Sequence, residues 1–391
     1  MPSGGAQRRW SLPWRDALVT VAAIVFALII GAVLMVVSDP EVMAKFSYFF
    51  GRPSDALVAA GQKVGSAYGA LVRGAVGGIG PLSHTTAETA PLILAGLGVA
   101  LAFRTGLINI GAQGQAIWGA VAAAYVGFAL HLPPVLHLLL GLVGGLLAGA
   151  IWGGIVGWLK ARTGAHEVIV TIMMNYIAAG LLAYLLTTDV FQRPGRTDPI
   201  SPIVDWNATF PRMAGTQFHL GFVIALLAAV GVWWLLEKST IGFTMKAVGI
   251  NPHAAGTAGM SVGRATVLAM VIAGGLAGLA GVDAALGPEA GGTPVPLSAG
   301  IVGGVGFDAV TVALLGRSRP LGVVLAGLLF GALHAGGLAM QSVAQTPLTL
   351  ATVLQALIVL FVAAPALITK VLPFLRGARG GTGVPQTTGA L

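Results

Sequence analysis

The chain has 391 residues, of which 56% are hydrophobic and only 9% charged, whereas a soluble domain carries roughly 25% charged residues. That deficit excludes an ordinary soluble globular protein and places the chain in the membrane class. The net charge of +8 comes from Lys and Arg scattered along the flanks of apolar runs, which is the distribution of cytoplasmic loops and not that of a nucleic-acid-binding surface. With no cysteine, disulfides, thiol catalysis and Cys-ligated zinc are excluded as well.

About ten segments are long enough to cross a hydrocarbon layer: near 17–37, 86–103, 107–130, 134–159, 167–187, 218–236, 264–282, 301–316, 320–340 and 348–369. A crossing of roughly 30 Å takes about 20 helical residues. The expected fold is an all-α integral membrane protein, a polytopic helical bundle of about ten transmembrane helices, packed through many of its 58 glycines. The first run follows Arg8, Arg9 and Arg15, is too long for a signal-peptide core and has no small-residue cleavage site after it. It reads as an uncleaved first span behind a cytoplasmic N-terminus at 1–16. The second and eighth segments are short, the pattern of broken helices that line a cavity.

Between the first two spans, residues 38–85 are expected outside the cell. They hold a weakly amphipathic stretch near 56–80 with Lys63 and Arg73, which is either a surface helix or an eleventh span. Charge then sets the orientation. With the N-terminus inside, the even-numbered spans end inside, and they end at Arg104, at Lys160 and Arg162, at the segment from Glu237 to Arg264, at Arg317 and Arg319, and at Lys370 followed by Arg376 and Arg379. All five ends are basic, which predicts a multi-pass protein of the bacterial inner membrane with both termini cytoplasmic. The long predicted outside loop at 188–217 balances three Arg against three Asp and is stiffened by Pro194, Pro199, Pro202 and Pro211. The tail at 371–391 is rich in Gly and Thr and reads as disordered.

Several chemistries are missing. ATP hydrolysis on a phosphate-binding loop needs G-x-x-x-x-G-K-[ST]; the one Lys followed by Ser or Thr is Lys238, and Glu237 stands where Gly is required. His166-Glu167 starts like a zinc-protease motif, but Val170 occupies the second His position. No metal set and no nucleophile–base pair emerges, so the chain is not read as an enzyme and no cofactor is expected on it.

Four polar segments remain. In Gly106–Gln115 (GLINIGAQGQ), Asn109 and Gln113 are four apart and would share a helix face; they either line a hydrophilic path, pin a broken helix or bond between helices. In Thr163–Tyr176 (TGAHEVIVTIMMNY), Thr163 is expected to cap a helix with Glu167 in its first turn, and Thr171 and Asn175 continue that stripe. Around Gly303–Gly316 (GGVGFDAVTVALLG), Asp308 sits in an otherwise uncharged span, so it is either an intramembrane site or the cap of a short helix beginning at Ala309. Asp283 and Glu289 fall at the outer end of the seventh span and are expected to be solvated. The candidate translocation path is Asn109, Gln113, Thr171, Asn175 and Asp308.

The fourth segment, about 237–263, is a polar, Gly-broken stretch between two long apolar runs, with a turn at Asn251-Pro252 and a short helix at His253–Ala255. A loop of this length is uncommon without a purpose, and a surface gripped by a partner accounts for it.

Taken together, these segments resemble the permease subunits of bacterial ATP-binding-cassette importers for simple sugars and nucleosides, above all the nucleoside branch of BmpB/NupP-type permeases, within the wider branched-chain amino acid and ribose-type permease family. The likeness runs over roughly residues 85–370: GLINIGAQGQ is similar to N-I-G-x-E-G-Q, HEVIVTIMMNYIA to N/H-E-V-I-x-T-I-M-L-N-Y-I-A, KAVGINPHAA to the family's cytoplasmic loop, and GFDAVTVALLG to G-F-x-x-I-A-V-A-L-L-G. Gln113 departs from it, standing where the branch commonly has Glu. The resemblance implies two permease chains, identical or different, forming one pathway, two ABC ATPase subunits that bind ATP and Mg beneath, and an extracytoplasmic substrate-binding lipoprotein that delivers a nucleoside or simple sugar. It also implies a coupling helix that seats in the ATPase, carried by Met245, Lys246, Ala247, Val248, Gly249, Asn251, His253, Ala254 and Ala255. The alternative is an ion-coupled secondary transporter, for which Asp308 is the one carboxylate deep in a predicted span.

Overall fold

The computed structural model describes residues 13–288 and 292–363. Glu289, the basic residues from Lys370 onward, the tail at 371–391 and all but the last residues of the N-terminal segment lie outside that description. The described residues divide into two compact units, one formed by 1–60 with 352–391 and the other by 61–351. The secondary structure is helical throughout, interrupted by loops that contribute only two isolated β-bridges among the described residues. The polytopic helical membrane fold is as the composition indicated.

In the first unit, α1 (Pro13–Ser38) is an apolar spanning helix. A short α2 (Pro40–Phe46) follows, started by Asp39, whose carboxylate accepts from the Glu41 and Val42 amides. This unit ends in α14 (Leu348–Ala363), and Phe361 meets Phe26 of α1 edge-on with ring centres 5.0 Å apart.

The second unit begins within α3 (Pro53–Val76) and continues through α4 (Ile79–Arg104), α5 (Ala112–Ala129), α6 (Pro134–Thr163), α7 (Glu167–Leu185), α8 (Leu220–Lys238), α9 (Thr240–Ile250), α10 (Pro252–Thr257), α11 (Val262–Leu286), α12 (Val305–Leu315) and α13 (Pro320–Ala344). Each of the ten predicted spans contains a helix. Among the described residues, seven helices are long and apolar enough to cross a membrane: α1, α4, α6, α7, α8, α11 and α13.

Two span limits need correction. The second span is not short: α4 runs 26 residues from Ile79, with Pro91 inside it. The third begins only at Ala112, so Asn109 lies in the irregular segment before α5 and not on a helix face with Gln113. The eighth stays short; α12 has 11 residues, which at 1.5 Å per residue is roughly half a bilayer.

Glycine holds this unit together. Gly145, Gly149, Gly153 and Gly157 recur at every fourth position of α6 and face α11. A Cβ at Gly149 would lie 2.4 Å from the Gly274 carbonyl oxygen, and one at Gly278 would lie 2.5 Å from that of Gly145. No side chain fits at either place. Lipid tails give apolar helices no hydrophobic reason to associate, so backbone-to-backbone contact through small residues supplies the attraction. α5 joins the same seam, and α4 lies against α8, α11, α12 and α13.

Candidate functional site

The polar residues inside the second unit form two groups. The first surrounds the turn between α4 and α5. Asn109 Oδ1 accepts from the Gly111 amide at 2.9 Å and its Nδ2 donates to Gln115 Oε1 at 3.2 Å. Asn175 of α7 accepts from the Gly114 amide at 2.8 Å and donates to the Ile110 carbonyl at 2.9 Å. Thr171, one turn earlier, is fully buried and donates to Val168 O. Gln113 reaches the other way: its Nε2 donates to Gly303 O at 2.7 Å and its Oε1 accepts from the Gly306 amide at 2.9 Å. These side chains close the backbone groups that two helix breaks leave open, one before α5 and one before α12, which would otherwise be costly in an apolar setting.

At the base of this group Lys160 Nζ sits 2.6 Å from Glu167 Oε2, tying the end of α6 to the start of α7. The capping expectation is corrected here. Thr163 is the last residue of α6 and donates to Leu159 O, His166 occupies the N-cap of α7 without a side-chain bond, and Glu167 acts through Lys160.

The second group lines a chamber of about 370 Å³. Its walls come from α4 (Glu88, Pro91), the end of α11 (Asp283), the loop leading to α12 (Ser298, Gly300–Gly304), the first turn of α12 (Asp308), α13 (His334), and Gln217 and His219 ahead of α8. Glu88 is 3.4 Å from His334 Nδ1 and 3.8 Å from His84 Nδ1. Asp308 does not cap α12; Gly304 holds that position, and Asp308 lies in the first turn on the chamber wall. Nor is Asp283 solvated: it is only 6% exposed, and its Oδ1 accepts no hydrogen bond. The neighbouring His219 Nδ1, 3.7 Å away, instead accepts from the Gly221 amide.

Above the chamber, Gln217 also lines a wider vestibule of about 530 Å³, bounded by Ser83, His84, Arg212, Thr216 and Ser342. The loop 188–219 beside it is fastened by Ser201, whose amide donates to Leu297 O at 3.0 Å and whose hydroxyl accepts from the Leu297 amide at 2.9 Å. At its exposed tip the Arg196 guanidinium donates twice to Asp198, holding that carboxyl below its ordinary range.

At the opposite end of α8, the 237–263 segment is more ordered than the sequence indicated. Ser239 caps α9 by accepting from the Gly242 amide, and Asn251 caps α10 by accepting from the Ala254 amide. Met245, Val248 and Ala255 are buried, and Val248 and Ala255 share a small apolar cluster with Ala265. Gly249 presses on the α4–α5 turn so closely that a Cβ there would lie 2.3 Å from Arg104 O. Asn251, His253 and Ala254 face outward.

This order and spacing coincide with a known family. The family described as branched-chain amino acid transport system / permease component matches residues 82–363. The chain belongs to that permease family.

It is 40% identical to the guanosine ABC transporter permease protein NupP of Bacillus subtilis over 348 residues, 88% of this chain and 92% of the relative. It is 34% identical to the glucose ABC transporter permease protein TsgB13 of Haloferax volcanii over 72% of this chain and 75% of the relative. It is also 33% identical to the nucleoside ABC transporter permease protein NupB of Lactococcus lactis over 92% and 94%. No solved structure matches the chain.

Within this permease, the five candidate path residues part company. Asn109, Thr171 and Asn175 meet at the α4–α5 turn, Gln113 bridges to the α12 break, and only Asp308 stands on the chamber wall. Glu88, His219, Asp283 and His334 were missed as chamber residues. The signal was there: Glu88 is the one carboxylate of α4 and His334 the one ionisable residue of α13, both helices of spanning length, and an intramembrane ionisable residue is a site hypothesis by default.

Proposed function

We propose that this permease is the membrane-spanning subunit of an ABC importer that carries a nucleoside, with simple sugars as the adjacent substrate class. The observation that carries this reading is the 40% identity to a guanosine permease along nearly the whole of both chains. On this reading the chain sits in a bacterial plasma membrane with both termini cytoplasmic, and a second permease chain, the same or different, completes the pathway. ATP and Mg act on separate ATPase subunits, and an extracytoplasmic lipoprotein hands over the solute at the vestibule.

The docking surface on the ATPase is α9–α10, from Met245 to Ala255. Its members divide the labour. Met245, Val248 and Ala255 root the segment in the fold, Gly249 brings it against the α4–α5 turn, and Asn251, His253 and Ala254 offer the outward contact. A push on α10 thereby reaches the break between α4 and α5, whose polar network extends through Gln113 to Gly303 on the chamber wall and to Gly306 in the first turn of α12. Asp308 lines the solute path, while Asn109, Gln113, Thr171 and Asn175 shape it from behind.

The reading is tested by ATP-driven uptake of labelled guanosine, with labelled glucose in parallel, into vesicles bearing the assembled importer. Ala254→Trp should abolish uptake while the chain remains in the membrane at normal level, because Ala254 is exposed and its replacement strains nothing inside the fold. Gly249→Trp is the less clean variant, since it also displaces Arg104 and Gly106. Solute accumulation by the purified chain alone, driven by a proton or sodium gradient, would establish the secondary-transporter alternative instead.

A further inference from the structure

The chamber differs from the vestibule in charge. Among the described residues, the vestibule wall carries one Arg, Arg212, and no carboxylate. Among the described residues, the chamber wall carries Glu88, Asp283 and Asp308 with His219 and His334, and no Lys or Arg. A solute moving inward through the region of Gln217, which lines both, leaves a wall that tolerates anions for one that offers them no counter-charge. Desolvating an anion without a cationic or hydrogen-bond-donating partner is strongly unfavourable. A solute rich in hydroxyl and N–H donors meets the opposite situation, because carboxylate oxygens accept such bonds. Glu88 and Asp308 supply such acceptors on the chamber wall.

We propose that this chamber is the charge-selecting stage of the permease: it admits an uncharged, donor-rich solute such as a nucleoside or sugar and rejects its phosphorylated, anionic form. The inference rests on the permease reading above and adds to it where along the path a nucleotide would be turned back.

The absence of cysteine makes the test direct. Single cysteines at Ser298→Cys in the chamber and Ser342→Cys in the vestibule are reacted, in purified full-length protein, with cationic and anionic methanethiosulfonate reagents. The cation-to-anion rate ratio at position 298 should exceed that at 342 by about 10-fold or more, the focusing expected of a cleft lined by one sign of charge. Replacing Glu88 and Asp308 with Gln and Asn should collapse the difference. Equal ratios at the two positions, or no reaction at 298 with either reagent, overturn the proposal. The labelling requires no transport, so it stands apart from the nucleoside reading, which fails separately if the unmodified importer takes up neither guanosine nor glucose. In an importer that does take them up, full cationic modification at 298 should block uptake, and undiminished uptake shows that the solute travels elsewhere.

Discussion

The α4–α5 turn and the chamber are both polar, both enclosed by the same apolar helices, and opposite in how their hydrogen bonds end. At the turn, Asn109, Gln113, Gln115 and Asn175 spend their amides on one another and on backbone groups that the two helix breaks would strand. In the chamber, Asp283 Oδ1 is buried without a hydrogen bond, and Glu88 and Asp308 face a cavity large enough for a small solute. Polarity inside a membrane protein is therefore not one signal. Side chains that close backbone groups mark scaffolding, and ionisable groups around a cavity mark a place where something else can bind.

The comparison breaks most visibly if the turn is not scaffolding. Asn175→Leu removes partners from the Gly114 amide and the Ile110 carbonyl at once. Each stranded buried group costs about 1–3 kcal/mol, so the variant should lose about 3 kcal/mol and show a sharply lower melting midpoint or fail to accumulate. Normal stability with impaired uptake would move Asn175 into the solute path. Lys160→Met comes next. It leaves Glu167, 8% exposed, without its 2.6 Å partner, and should cost about 2 kcal/mol, the scale of a hydrogen bond to a charged group. The combined variant Lys160→Met with Glu167→Met should recover much of that loss, because a buried charge without its partner is worse than no charge. Ser239→Ala, which removes the α9 cap and the hydroxyl's bond to Leu235 O, should cost about 1 kcal/mol; on the importer reading, a loss of uptake larger than the loss of stability would show that the orientation of α9 transmits the ATPase stroke.

How much of this was legible beforehand follows the same division. Hydropathy located a helix in every one of the ten spans, since a long apolar run permits little else. It misplaced the start of α4 because Gly80-Pro81 and His84 look like an aqueous loop in sequence, whereas they line the vestibule. It placed Asp283 in water for the same reason: a carboxylate at a span's end is usually solvated, and nothing along the chain reveals that 217–219 and the loop before α12 close over it. Asp308 was legible as unusual but not as wall instead of cap, because Gly304 and Asp308 both fit the start of a helix and only the tertiary fold decides which residue occupies the cap. The 237–263 segment was recognisable as unusual from its length and its Asn251-Pro252 turn, but α9 itself was not. Gly242, Thr244 and Lys246 interrupt its apolar residues, and its burial arises from contact with α8 and α11.

The smallest stability effect is expected where the sequence was least informative. Asp283→Asn keeps the shape and the acceptor oxygen while replacing the carboxyl with an amide. As a scaffold residue Asp283 would be a poor choice, since its Oδ1 receives no bond in return for being buried, and a buried, uncompensated carboxylate is a net cost to the fold. The variant should therefore melt within about 1 kcal/mol of the parent, or slightly above it, as happens when a strained functional group is relieved. Uptake should fall all the same, because an amide is a weaker acceptor for the donors of a nucleoside or sugar. A drop in stability comparable to that of Asn175→Leu would place Asp283 with the closed network and erase the distinction between the two polar groups. Unimpaired stability with reduced uptake would assign the open oxygen to the solute.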